Sequence, residues 1–114
     1  MADDYSDLIE IRRGTDASFT VICEDENGAP MDVTGYTFIS QIRPAEDSTT
    51  LTLEPTIEIT DAAAGELTIS FAAADTIAVA AGEYLQDIMY EEAGTRGHIP
   101  GWRINFYGTV SKFT

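Results

Sequence analysis

Alternation of apolar and polar residues, cut at short intervals by turn residues, is the feature that most limits how this chain can fold. The stretch Asn27 to Arg43 shows it best. Asn27-Gly28 is a strong turn signal. Pro30 denies a sheet its donor at the start of the next segment. Met31-Asp32-Val33-Thr34-Gly35 crosses to a new strand, in which Tyr36, Phe38, Ser40 and Ile42 share one face until Pro44 stops it. A chain that repeats this pattern is committed to short strands.

The pattern does repeat. Leu8 to Arg12 reads as a strand, and Arg13-Gly14-Thr15-Asp16 as a turn. In Ser18 to Glu24, Phe19, Val21 and Cys23 face one way and Ser18, Thr20 and Ile22 the other. Thr50 to Leu53 and Thr56 to Thr60 are further strand pieces, and Asp61 to Gly65 is a turn. Glu66 to Phe71 alternates cleanly, with Leu67, Ile69 and Phe71 inward. Ala72 to Ala81 breaks the pattern. Its alanines allow one or two helical turns anchored by Ile77 and Val79. Glu83 to Tyr90 is a strand with Tyr84, Gln86 and Ile88 on one face. Glu91 to Pro100 reads as a hairpin loop, and Gly101 to Tyr107 and Gly108 to Phe113 as the last strands, kinked near Gly108. The expectation is an all-β, two-sheet antiparallel sandwich of about seven to nine strands with at most one short helix, around 72–81. It forms a single domain over 8–114 behind a polar tail at 1–7 that is frayed or ordered by a partner.

Charge then excludes several functions. Twenty acids against six bases leave a formal charge of −14. Direct nucleic-acid binding needs a basic face to release counterions, and anionic lipid would repel such a chain. The acids are uneven: from Ala93 to Thr114 there is none, while Arg96, His98, Arg103 and Lys112 are present. That segment could face the acidic half of a neighbouring copy in a salt-sensitive homo-oligomer. It also holds Trp102, Phe106, Tyr107 and Phe113. Trp, Tyr and Arg are favoured at interface hot spots, so Trp102, Arg103, Tyr107, Lys112 and Arg96 are the candidate interface residues. Trp102 and Tyr107 could alternatively stack on a surface glycan. The start, Met-Ala-Asp-Asp-Tyr, lacks the basic and apolar regions of a signal peptide. No apolar run approaches the ~18 residues of a membrane span. Synthesis in the cytosol without export by the signal-peptide route is expected.

Candidate chemistry is sparse. Cys23 is the only cysteine, which rules out an internal disulfide and leans towards a reducing compartment. Its inward register makes it a buried apolar residue. His98, the only histidine, lies in a Gly-rich stretch with no acid near in sequence, so it reads as a loop residue rather than a catalytic base. Glu24-Asp25-Glu26-Asn27-Gly28 and Asp3, Asp4 and Asp7 could attract Ca²⁺ but do not match a calcium loop; a solvated turn and tail are the simpler reading. No cofactor is called for, and no enzyme activity is expected.

Several pieces together carry a resemblance: Arg13-Gly14-Thr15-Asp16 with Phe19; Asn27 to Phe38; Gln41-Ile42-Arg43-Pro44; Ala64 to Ser70; Ala81 to Ile88; and Gly108-Thr109-Val110-Ser111. In this order the chain resembles small tailed-phage structural proteins akin to the N-terminal domain of the phage upper baseplate protein. The group usually has Arg-Gly-Asp-Thr where this chain has Arg13-Gly14-Thr15-Asp16. It commonly has an apolar pair before the last glycine, where Phe106-Tyr107 follows Asn105 here. The resemblance implies an immunoglobulin-like sandwich serving as a non-enzymatic, multicopy virion subunit at the tail, baseplate or fibre attachment. Its partners would be other virion proteins and copies of itself; capsid decoration is the alternative. Tyr84 would then be a tyrosine corner, bonding the connecting backbone. Gln86 would stand where an antibody domain has its second cysteine: buried, it would need partners; exposed, it would shift the register.

Overall fold

The computed structural model describes residues 7–46 and 48–108. Seven strands and one short helix follow in the order β1 (Leu8–Arg12), β2 (Ala17–Ile22), β3 (Thr37–Arg43), β4 (Thr56–Asp61), β5 (Glu66–Phe71), α1 (Ala73–Thr76), β6 (Gly82–Glu92) and β7 (Thr95–Tyr107). They form two sheets, β1-β7-β6-β3 and β2-β5-β4. The alternation predicted from sequence is the reason: inward residues Phe71, Leu67 and Ile69 of β5 meet Ile42, Ile88, Trp102, Ile104 and Phe106 of the other sheet in one buried cluster. Each such side chain contributes about 1.5–3 kcal/mol on leaving water. Cys23 and Val33 are fully buried in the same core. Burial pushes the Cys23 thiol above its ordinary range. The sandwich is antiparallel except at one margin, where β1 runs parallel to β7 with Leu8 beside Arg103 and Arg12 beside Tyr107.

Three further expectations are corrected. The 50–53 segment is not a strand; only Leu53 bridges Ile42, because the sheet edge there is met by a two-residue touch and no longer ladder. Residues 91–100 are not a loop. β6 and β7 pair out to Glu92 and Thr95, and the reversal is a two-residue turn with Ala93 (φ 52°) and Gly94 (φ 83°) both left-handed, the geometry that matches strand twist. The glycines beyond it serve the strand. A Cβ at Gly97 would fall 2.2 Å from the Tyr90 ring, and one at Gly101 2.0 Å from the Gln86 carbonyl oxygen, beside the bulge that shifts the β6–β7 register. In the 72–81 segment Val79 and Thr76 are buried, whereas Ile77 stays 39% exposed. The tail before Asp7 and the strand expected after Gly108 fall outside the described residues.

The Arg13-Gly14-Thr15-Asp16 turn holds that helical segment in place. Arg13 donates from Nε to the Val79 carbonyl and from Nη2 to that of Ile77 (2.9 Å). Thr76 Oγ1 accepts the Gly14 N–H at 2.9 Å and lies 3.2 Å from the Thr15 carbonyl. Asp16 Oδ1 accepts the Ala73 N–H at 2.7 Å, a capping contact supplied from a distant part of the chain. The order of these four residues is therefore a structural clamp.

Candidate interaction surface

Cross-strand register assigns the side chains to faces. Trp102, Ile104 and Phe106 point inward. Arg103, Asn105 and Tyr107 point outward with their neighbours Leu8, Glu10 and Arg12 on β1 and Glu83 and Leu85 on β6. The same outward row continues through Asp87, Met89, Glu91, His98 and Arg96 to Thr37, Ile39, Gln41 and Arg43 on β3. Four of the five arginines, Arg12, Arg43, Arg96 and Arg103, thus share one sheet face with His98. Four carboxylates, Glu10, Glu83, Asp87 and Glu91, stand among them. Over these paired strand positions the four positive and four negative charges cancel in a chain of −14, and Glu46 at the margin of the face adds one negative charge. The outer face of β2-β5-β4 differs: its paired positions are Ser18, Ser70 and Thr56, then Thr20, Thr68 and Glu58, then Ile22, Glu66 and Asp61, with no cation.

The charges on the four-stranded face are placed by one another. Arg96 Nε bonds Glu91 Oε2 at 2.9 Å, and Arg103 Nη1 reaches Glu83 Oε1 at 3.4 Å. The Arg12 guanidinium lies 4.5 Å from the Tyr107 ring centroid, a cation–π contact. Arg43 donates to Gln41 Oε1 (2.8 Å) and to the Ser48 carbonyl (3.2 Å). Exposed pairs of this kind hold about 0–1 kcal/mol each, so they orient side chains more than they stabilise the fold. Gln41, Arg43, Glu46, Asp87, Met89 and His98 line a shallow cavity of about 330 Å³ on this face. Ile39 and Met89, directly opposite one another, are 42% and 39% exposed.

The face gathers three of the five interface residues expected from sequence: Arg96, Arg103 and Tyr107. Lys112 lies outside the described residues. Trp102 is a correction. It is only 7% exposed, packs edge-on against Phe19 at 5.7 Å and donates its Nε1–H to Gln86 Oε1 at 2.8 Å. Its ring is spent on the core and cannot stack on a sugar. Sequence reasoning missed Ile39, Met89 and Asp87. Ile39 carried a readable signal, an isoleucine on the polar phase of β3. His98 is corrected too: it is a strand residue, and Asp87 Oδ2 lies 3.0 Å from its Nε2. Among the described residues no hydroxyl or thiol is hydrogen-bonded to that ring, as a nucleophile relay would require.

The acidic turn is self-satisfied. Asp25 Oδ1 accepts the N–H groups of Asn27 (2.8 Å) and Ala29 (3.0 Å), and among the described residues no three acids, histidines or cysteines gather as metal ligands. No helix of the described residues is long and apolar enough to cross a membrane. At the far end of β3, Tyr36, Phe38 and Tyr90 contact one another with centroids 5.2–6.2 Å apart. Desolvation and then the nearby Glu92 charge push the Tyr36 hydroxyl above its ordinary value.

Strand order, the inward alternation and one hydrogen bond define the class. Tyr84 Oη donates to the Ala80 carbonyl at 2.7 Å, the tyrosine corner expected at the start of β6 and two residues before the buried Gln86. With sheets β2-β5-β4 and β7-β6-β3 joined across the core, the chain is an immunoglobulin-like β-sandwich. The fold has a counterpart among solved structures. The N-terminal domain of phage TP901-1 ORF48 superposes with a TM-score of 0.53 at 14% identity, over 89% of this chain and 83% of that one. The Lin-41 filamin domain matches with a TM-score of 0.45 at 13% identity, over 85% and 81%. No protein-family model and no curated protein matches the chain by sequence.

Proposed function

We propose that this chain is a non-enzymatic structural subunit of a tailed-phage particle, placed at the tail, baseplate or fibre attachment and acting through protein contacts. The observation that carries the reading is the shared fold with the phage ORF48 N-terminal domain over most of both chains. The turn-and-strand pieces that resemble phage structural proteins support it independently. The outer face of β1-β7-β6-β3 is the docking surface for another virion protein: it is the balanced, partly apolar face of an otherwise acidic molecule, and like charge elsewhere repels acidic partners.

Purified particles of the phage that encodes the chain test this. The protein should be present at a fixed copy number and should leave with the tails when tails are removed. Retention on tail-less heads would assign it to capsid decoration. Absence from washed particles would refute a virion role.

A further inference from the structure

The two sheets have four edge strands, and their outer sides differ. β3 is covered: Ile42 is bonded to Thr52 and Leu53, and Ser40 is 1% exposed. β4 follows Pro55, carries Glu58 and bulges between Ile59 and Asp61. β1 carries Glu10 and Arg12. Charges, prolines and bulges stop an edge from pairing with another chain. β2 has no charge and no proline from Ala17 to Ile22, and it pairs with β5 in unbroken register over all six residues. Among the described residues β5 is the only strand alongside it.

The direction of its main chain follows from one bond. The Cys23 N–H donates to the Gly65 carbonyl at 2.8 Å, one step beyond Ile22 and Glu66 in the β2–β5 register. Cys23, Val21 and Phe19 therefore bond to β5, and the N–H and C=O groups of Ser18, Thr20 and Ile22 point away from it. All three residues are exposed, and among the described residues these main-chain groups have no hydrogen bond. A groove of about 520 Å³ runs along this edge. Phe19 and Val21 of β2 form its apolar floor with Ile9, Ile99 and Trp102 of the other sheet. Asp7, Glu24 and Asp25 stand on its rim, and no cation lines it.

We propose that this edge receives an extended segment of another protein as an added strand, with apolar and basic residues in alternation. Ser18 to Ile22 offers its free main-chain groups over about 14 Å, the span of about five extended residues. Alternate side chains of the new strand fall on opposite faces. Those directed inward meet the groove floor and cover Phe19, Val21, Ile9 and Ile99, which are only half-buried. Those directed outward lie beside Ile22 and Glu24, with Glu66 paired to Ile22 and Glu58 paired to Thr68. A lysine or arginine is attracted there and a carboxylate repelled. The net charge of −14 draws such a segment in and repels a second copy of this chain. The surface is separate from the balanced face of β1-β7-β6-β3 and does not rest on the phage reading.

Titration with three synthetic hexapeptides, at roughly 10 µM to 1 mM, followed by amide exchange, tests it. In the free protein Thr20 and Ile22 should exchange fast while Phe19 and Val21 are slow. Lys-Val-Lys-Val-Lys-Val should bind and protect Ser18, Thr20 and Ile22. Lys-Lys-Lys-Val-Val-Val has the same composition without the alternation and should bind about tenfold more weakly or worse; equal binding would mean attraction by charge alone and overturns the strand addition. Glu-Val-Glu-Val-Glu-Val should not bind, and affinity equal to that of the lysine peptide would refute charge as the selector. Glu24 is exposed, so Glu24→Lys should unfold in urea like the parent chain and weaken the alternating lysine peptide about threefold or more; an unchanged affinity would place the peptide elsewhere. Slow exchange of Thr20 and Ile22 in dilute free protein would show the edge to be closed and refute the proposal. Protection that rises with protein concentration alone would assign the edge to a second copy and overturn it.

Discussion

Replacing Gln86 by leucine should destabilise the domain, although leucine is the more apolar residue. Gln86 is 1% exposed and bridges three strands. Its Oε1 accepts the Trp102 indole N–H from β7 at 2.8 Å, and its Nε2 donates to Ser40 Oγ on β3 at 3.0 Å. Ser40 Oγ in turn donates to the Asp87 carbonyl at 2.8 Å. Gln86→Leu leaves the indole N–H buried without an acceptor, which costs about 1–3 kcal/mol. Ser40 keeps its own acceptor and loses only an incoming donor, about 0.5–1 kcal/mol. The leucine returns roughly 1 kcal/mol of apolar burial. The net loss is about 0.5–3 kcal/mol, or roughly 2–12 °C in Tm for a domain of this size. Urea unfolding should show a lower midpoint at unchanged slope. The cycle with Trp102→Phe is the sharper assay, because phenylalanine has no donor to orphan. The double variant should be more stable than the sum of the single losses predicts by about 1–2 kcal/mol. A neutral Gln86→Leu, or strictly additive losses, would refute the claim that the indole donor is what needs the glutamine.

Three other outcomes are expected. Gly65→Ala should cost about 2–4 kcal/mol in urea unfolding, since Gly65 has φ +68° and a Cβ there would fall 2.5 Å from the Met31 carbonyl oxygen and 2.8 Å from that of Cys23; a loss under 1 kcal/mol would mean the turn can shift. Tyr84→Phe removes only the bond to the Ala80 carbonyl and should cost about 1 kcal/mol, with an unchanged midpoint counting against the tyrosine corner as a stabilising contact. Asp32 accepts both the Thr34 hydroxyl (2.6 Å) and the Thr34 N–H (3.0 Å), and the side-chain bond first, then the backbone bond, hold its carboxyl below the usual carboxylate range. Its contribution is therefore present above the ordinary aspartate value and lost as pH falls through the lowered one; in an NMR titration Thr34→Val should move Asp32 upward, and an unmoved titration would rule the hydroxyl out as the cause.

The parts of the fold legible in the sequence were those written in local alternation. β2 and β5 could be assigned face by face because Phe19, Val21, Leu67, Ile69 and Phe71 repeat at two-residue spacing. Tyr84 could be placed because its position matches a known corner, whereas the burial of Gln86 became visible only with its partners Trp102 and Ser40. The parallel β1–β7 pair could not, since its register joins residues about a full chain length apart and no local pattern encodes that. Trp102 was misplaced by composition. It shares a phase with Ile104 and Phe106, whereas Tyr107 shares one with Arg103 and Asn105, so the two aromatics could not both face outward. His98 was hidden by Gly94, Gly97 and Gly101, which look like loop punctuation but give room to a tight turn, a tyrosine ring and a bulge. Its partner Asp87 became visible only with the β6–β7 register.

The parallel edge also fixes how the domain would bear load. The chain enters β1 at Leu8 beside Arg103 and leaves β7 at Tyr107 beside Arg12, so entry and exit lie at opposite extremes of this parallel pair. The ladder is closed at both extremes, by the Arg103 N–H on the Asp7 carbonyl (2.8 Å) and the Arg13 N–H on the Tyr107 carbonyl (2.7 Å). Tension applied between the ends therefore shears this ladder lengthwise. Its hydrogen bonds share the force and must fail together, whereas a hairpin pulled at its open end would unzip one bond at a time. A force applied between Leu8 and Tyr107 would thus run along this one seam.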